Sequence, residues 1–293
     1  MGRAMEYLLR PRHALLIWER RPQGGARPMD LEAAAAQSDF VLFCLPAGPH
    51  FELAARLRPA LRESCVCLSI AKGVDDEGRT AAQALTQALA GRASGAVLYG
   101  PMIAEEIRAG KPAFAQCGAA RRDDCVRARA LFRDTPLTLD YTADVTGISW
   151  SAVLKNVYAI LFGAADELGL GDNIRGYLAV AALQEIDRIV RGLGGAAGTP
   201  YHLAGLGDLI TTATSAGSHH HELGRRLARG AEEAPRGEGV HTLATVRARR
   251  LFDTGPYPLF NLIGRMLDEP RAAAAAMRGF LDRVREQADR GPA

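Results

Sequence analysis

The spacing of apolar positions changes character once along the chain. Over the first half, short apolar runs alternate with stretches whose apolar residues recur every three to four positions. "ALLIWE" (14–19), "FVLFCLP" (40–46), "CVCLSIAKG" (65–73), "GAVLYGP" (95–101), "AFAQCG" (113–118) and "PLTLDY" (136–141) predict strands. "DLEAAAAQS", "HFELAARLRPAL", "TAAQALTQALA", "IAEEIRAG" and "RDDCVRARALF" predict the helices between them, and a further helix opens the chain from Arg3 to Leu9. Strands alternating with helices imply an α/β fold with a mostly parallel, doubly wound sheet. Such sheets bind ligands at the carboxyl ends of their strands, where "CLPAG" and "IAKGV" fall. From about residue 144 only helical spacing remains, as in "VTGISWSAVLKNVYAILFGAADEL" and "IRGYLAVAALQEIDRIVRGLG". The expected organisation is a sheet domain over 1–143 and an all-helical domain over 144–293.

One helix breaks its own pattern. "SWSAVLKNVYAILFG" (149–163) is apolar on nearly every face, yet carries Lys155 and Asn156 in its middle. An ammonium is costly to bury unless it is paired. Composition sharpens the anomaly: of 36 basic residues only Lys72, Lys111 and Lys155 are lysines, which leaves 33 arginines. Where arginine is used so widely, a retained lysine marks a place where a guanidinium will not serve. Arginine stays charged, whereas a buried lysine can exchange its proton.

The rest of the composition excludes more than it assigns. A net charge of +3, with basic residues spread along the chain, gives no footprint for nucleic acid. No uninterrupted apolar run reaches the roughly 18 residues of a membrane span, and no signal-peptide order is seen at the N-terminus. Cys44, Cys65, Cys67, Cys117 and Cys125 lack metal-site spacing and read as buried thiols of a reducing cytoplasm. His219, His220 and His221 are adjacent, so on a helix they point in different directions and no metal site is expected.

Taken in order, "IAKGV", "GPMIAEE", "VLKNVYAI", "LGLGDN", "LAGLGDLITTATS" and "GEGV" resemble the NAD(P)-dependent glycerol-3-phosphate dehydrogenase family over essentially the whole chain. The resemblance implies a Rossmann-like sheet followed by a helical domain. It also implies interconversion of dihydroxyacetone phosphate and sn-glycerol 3-phosphate by hydride transfer. Lys155 would be the acid/base, a task that needs a lysine able to give up its proton near the working pH. Lys72 would assist at the developing oxyanion and at the cofactor, and Asp208 and Thr212 would orient Lys155. Gly100, Asn156, Ser218, His219 and His220 match substrate-binding positions. Gly2, Trp18, Arg20, Arg21, Ala104, His219 and Glu238 match positions that hold the cofactor. Arg20 and Arg21 suit the 2′-phosphate of NADP, whereas Glu19 suits NAD. On residue type alone, Lys72 also reads as a solvated strand end, Asp208 as a helix cap and Thr212 as a hydroxyl bonded to its own backbone.

The chain departs from the family pattern in three places. The first strand and the opening of the glycine turn are missing before Gly2, which a start upstream of Met1 would explain. Met102 stands where the family has a substrate-contacting serine. "SHHHE" (218–222) replaces the family's Ser-Arg-Asn, so two imidazoles take the place of a phosphate-gripping pair. Three outcomes stay open: weaker binding of the usual substrate with help from Arg175, Arg225 or Arg226, a different small hydroxy or keto substrate, or an inactive nucleotide-binding paralogue. The resemblance further implies a cytoplasmic homodimer that supplies phospholipid backbones.

Overall fold

The computed structural model describes residues 1–20, 29–215, 217–230 and 235–289, and its chain divides into two compact units, Met1–Ser149 and Trp150–Ala293. The first unit contains α1 (Gly2–Leu9), α2 (Leu31–Ala36), β1 (Phe40–Phe43), α3 (His50–Leu57) and β2 (Val66–Ser69). It continues with α4 (Ala81–Leu89), β3 (Ser94–Tyr99), α5 (Ala104–Arg108), β4 (Ala113–Ala119), α6 (Arg122–Leu131) and β5 (Leu137–Thr142). The five strands lie in the order β1-β2-β3-β4-β5. All neighbours are parallel except β3 and β4, which run antiparallel with Tyr99 opposite Gln116.

Burial explains why the strands read as continuous apolar runs. β2 is buried at all four positions, Val66 to Ser69, because helices cover both faces of the sheet. Leu68, Leu98 and Cys117 fill the core on one face, and Phe43, Cys67 and Leu85 fill it on the other. Local chemistry sets the helix starts. Asp30 caps α2 by accepting the Ala33 amide at 2.9 Å. Thr80 and Gln83 form a reciprocal capping box at the start of α4.

The strand expected over 14–19 is not one. The segment is extended but joins no ladder, and β1 pairs only with β2 among the described residues. Leu15 packs on one face of the sheet and Trp18 on the other. Leu16 and Ile17 between them are 46% and 41% exposed. Alternation reports burial on two sides, whereas a strand also needs a hydrogen-bonded neighbour, and none lies alongside.

The helix α7 (Val145–Glu167) begins in the first unit and runs into the second. After it come α8 (Gly171–Gly192), α9 (Asp208–Thr214), α10 (His219–Ala228), α11 (Glu238–Arg249), α12 (Pro258–Asp268) and α13 (Ala273–Asp289). α7 is 23 residues long and its most apolar 18 residues have a mean hydropathy of 1.3, which by length and composition is enough to cross a membrane, although Lys155 and Asn156 interrupt its apolar run. Its apolar window is nevertheless wholly buried, as in the central helix of a folded core.

In the second unit, α7 and α10 approach more closely than side chains normally permit. A Cβ at Gly163 would lie 1.8 Å from the His221 carbonyl oxygen, and one at Gly224 would lie 1.9 Å from the Ile160 carbonyl oxygen. The two glycines therefore face each other's helix reciprocally and lock α10 in register on α7. Glu185 of α8 anchors α12 to α7. Its carboxylate accepts the amides of Leu259 at 2.8 Å and Phe260 at 3.0 Å and the hydroxyl of Tyr158 at 2.8 Å.

Candidate active site

In the first unit, parallel pairing of β1, β2 and β3 brings their carboxyl ends to one edge. Lys72 follows β2 and is half-buried; its Nζ donates to the carbonyl of Gly100, just beyond β3, at 3.0 Å. Gly100 accommodates this arrangement because β4 passes very close: a Cβ there would lie 2.4 Å from the Phe114 oxygen. Met102 is 6% exposed and belongs to the core on one face of the sheet. Its side chain fills apolar volume, which a serine hydroxyl at this position would not do.

Gly2 opens α1 beside the exit of β1, where its Cβ position would be 3.6 Å from the Cβ of Cys44. No side chain caps α1 among the described residues; Ala4 and Met5 donate to the Met1 carbonyl, so the amides that can meet an anion are those of Gly2 and Arg3. These residues fit the pyrophosphate of a dinucleotide, which Gly2 and the start of α1 would hold. Ala104 is the first residue of α5, and Trp18 lies in the extended segment with Glu19 and Arg20 exposed after it. Arg21 lies outside the described residues.

The second unit holds the lysine that the sequence singled out. Lys155 of α7 is 5% exposed, and its Nζ is 3.2 Å from Asp208 Oδ1 and donates to Thr212 Oγ1 at 2.6 Å. Thr212 in turn donates to the Asp208 carbonyl at 2.7 Å. The ammonium is thus held by a carboxylate and a hydroxyl on successive turns of α9. A π-type turn over Leu203–Gly207 delivers the chain to Asp208. A side chain at Gly205 would lie 2.0 Å from the Pro200 oxygen, which explains the first glycine of the "GLG" before the aspartate. Gly207 and not Asp208 is the N-cap of α9, so the cap reading of Asp208 fails, while Thr212 does bond its own helix. The same hydroxyl also receives the lysine.

A second cluster forms one residue further along α7. Asn156 donates from Nδ2 to Glu238 Oε2 at 3.4 Å, and the amide of Gly239 donates to His220 Nε2 at 3.2 Å. This bond makes His220 Nε2 an acceptor, so a hydrogen offered by the ring comes from Nδ1. Ser218 Oγ caps α10 by accepting the amide of His221 at 3.3 Å. His219 is exposed at the first position of α10 and bonds to no other candidate residue among those described. His221 turns the other way and meets Asp166 Oδ2 at 2.7 Å.

Two of the three arginines expected to help with a phosphate, Arg175 and Arg225, form ion pairs with carboxylates of the second unit. Arg175 pairs with Asp166 at 2.6 Å and Asp172 at 2.8 Å, and Arg225 pairs with Glu167 at 3.2 Å. Hydrogen bonds from Arg229 and then Arg225 hold the Glu167 carboxyl down at about 2. Residue type alone gave no signal for these pairings, nor for His50. That histidine is fully buried beside Lys72's strand and was legible only as the first residue of a helix.

A sheet built to receive a nucleotide and a buried, carboxylate-paired lysine in a helical unit describe a class: dehydrogenases that act on a carbonyl or hydroxyl carbon. Comparison with known proteins narrows it. The family model for the NAD-dependent glycerol-3-phosphate dehydrogenase N-terminus matches residues 22–125, and that for the C-terminus matches residues 144–278. The glycerol-3-phosphate dehydrogenase (NAD(P)+) of Nitratidesulfovibrio vulgaris strain DP4 is 36% identical over 231 residues, 73% of this chain and 70% of the relative. That of Gloeobacter violaceus is 32% identical over 290 residues, 95% of this chain and 92% of the relative. Among solved structures, the glycerol-3-phosphate dehydrogenase of Coxiella burnetii superimposes with a TM-score of 0.76 at 25% identity, covering 86% of this chain and 79% of that one. The chain belongs to the NAD-dependent glycerol-3-phosphate dehydrogenase family.

Proposed function

We propose that this protein interconverts dihydroxyacetone phosphate and sn-glycerol 3-phosphate with NAD(P)H, and that Lys155 gives and takes the proton. The observation that carries this reading is the pairing of Lys155 with Asp208 and Thr212 away from water. Bound reduced nicotinamide supplies a hydride to the carbonyl carbon. As negative charge grows on the carbonyl oxygen, the Lys155 ammonium donates its proton to that oxygen, and the product is an alcohol. In the reverse direction the neutral amine accepts the hydroxyl proton. Asp208 and Thr212 fix the amine in one rotamer, so little motion is needed when the proton moves. Lys72, held by Gly100, brings a second positive charge to the substrate oxygen. Asn156 serves the substrate or the amide of the nicotinamide, Glu238 serves the cofactor, and Gly2, Trp18, Arg20 and Ala104 serve the nucleotide. Arg20 and Arg21 incline the choice towards NADP, with NAD as the alternative.

A second reading keeps the architecture and changes the substrate. It draws on His219 and His220, which stand where the family pattern places arginine and asparagine, and on the capture of His220 by Gly239. One assay separates the two. Purified protein with NADPH should lose nicotinamide absorbance on addition of dihydroxyacetone phosphate; silence with that ketone and turnover of an unphosphorylated one would favour the second. Cytoplasmic location and a homodimer complete the first reading, the five unpaired thiols supporting a reducing setting. Light scattering tests the dimer: a single-chain mass would remove it.

A further inference from the structure

Beneath Lys72 lies a hydrogen-bond chain that the proton transfer does not use. His50, with no exposed surface, begins α3, and its Nδ1 is 2.9 Å from the carbonyl oxygen of Pro46. A carbonyl only accepts, so Nδ1 carries the hydrogen. Burial, the dominant influence, pushes the ring's ionisation below its usual range, against the backbone oxygens of Pro46 and Ala47 and the charge of Asp75. The ring is therefore neutral and Nε2 is its acceptor. Ser69 Oγ, 2.7 Å from Nε2, must donate to it, which leaves the oxygen free to accept the Ala71 amide at 3.1 Å.

The chain joins three strand exits. Pro46 lies beyond β1, Ser69 closes β2, and the turn that Ser69 shapes ends at Lys72, whose Nζ reaches Gly100 beyond β3. Phe43 packs against the imidazole with ring centroids 5.3 Å apart and restricts its tilt. Asp75, the charged neighbour, is engaged by Arg79 Nε at 2.7 Å and by the amides of Glu77 and Arg79. We infer that His50 is a positioning residue for Lys72, acting through Ser69 to set the turn that aims the ammonium. The inference rests on the proposed role of Lys72 at the substrate oxygen.

The test compares His50→Leu, Ser69→Ala, their double mutant and His50→Gln in the full chain. His50→Leu and Ser69→Ala should each lower kcat for dihydroxyacetone phosphate about tenfold, with KM for NADPH within twofold. The double mutant should be no worse than either single variant, because both break one chain. His50→Gln, whose amide oxygen can accept from Ser69, should recover most of the rate. A wild-type kcat in His50→Leu, or losses that multiply in the double mutant, would overturn the inference. Two readouts do not need activity. In wild-type protein, nitrogen-15 spectra should show His50 as the Nδ1–H tautomer, and hydrogen exchange at the Ala71 amide should rise about tenfold in His50→Leu. The opposite tautomer, or unchanged Ala71 exchange, would overturn the inference even if the protein turned over no ketone. A silent enzyme with both signatures intact would count against the function alone.

Discussion

Replacing Gly224 by alanine probes the helix crossing that carries α10 and with it Ser218, His219 and His220. The added Cβ would lie 1.9 Å from the Ile160 oxygen and 2.9 Å from the Ala164 nitrogen, both backbone atoms. Ordinary contact begins near 3.4 Å, so the helices must part by about 1.5 Å, the difference between 3.4 and 1.9. A displacement of that size breaks the 2.7 Å bond between His221 and Asp166. Overpacking costs about 1–3 kcal/mol, and a hydrogen bond to a charged group contributes about 1.5–3 kcal/mol. Alanine returns up to about 1 kcal/mol through helix propensity. The net loss is about 1.5–6 kcal/mol. For a chain of this size that lowers the melting temperature by roughly 3–24 °C. Scanning calorimetry measures it, with Gly264→Ala as the control. There the Cβ would lie 1.8 Å from Arg247 Nη2, a side-chain tip that can swing away, so the change should stay within about 1 kcal/mol. Equal melting temperatures for the two variants would refute the reciprocal-glycine account of the crossing.

Other perturbations follow from the same geometry. Burial holds the His50 pKa below its unfolded value near 6.5, so its contribution to stability is complete above that pH. It is lost as the pH falls below about 6.5, because the unfolded chain takes a proton that the folded ring refuses. Urea unfolding between pH 7.5 and 5 should therefore fall more steeply for wild type than for His50→Gln, and parallel curves would exclude this. Glu185→Leu strands Tyr158 and the amides of Leu259 and Phe260, a loss of about 3–9 kcal/mol at 1–3 per group. Glu185→Gln keeps an acceptor and should lose clearly less, and equal stability of the two would contradict the anchoring role. Gly176 in α8 has nothing within 4 Å of its Cβ position, so Gly176→Ala should gain about 0.5–1 kcal/mol in thermal unfolding. A loss would show that the position is not open.

Much of this architecture was written in residue spacing. All five strands of the sheet and the helices between them follow from two alternating periods, because burial on both faces imposes continuous apolar runs. The segment 14–19 misled because alternation registers which sides are buried and is blind to whether a neighbour completes the ladder. The antiparallel β3–β4 pair was not foreseen, since the short α5 between them looks like any crossover helix. The domain boundary was read near residue 144, where the helical period begins, whereas the compact units divide at Ser149 because α7 starts in the first of them.

At the site, Lys155 was legible because a buried cation in an apolar helix demands a partner; Asp208 and Thr212 were legible only through the family resemblance, and both lie within 3.2 Å of its ammonium. The fate of His220 was not legible. Whether an imidazole faces a ligand or a backbone amide depends on how closely α11 approaches, and only the glycine at 239 hints at that. The engagement of Arg175 and Arg225 was hidden for the same reason: ion pairs between helices depend on packing angle, which residue type does not encode.

The central claim is that one amine, held by Asp208 and Thr212, moves the proton. Lys155→Arg keeps the positive charge opposite the carboxylate but removes a group able to release its proton. Following NADPH absorbance with dihydroxyacetone phosphate, beside cofactor binding by fluorescence titration, tests it most directly. The account predicts a fall in kcat of at least about 100-fold with NADPH affinity nearly unchanged. A Lys155→Arg enzyme that turns over at the wild-type rate would contradict it.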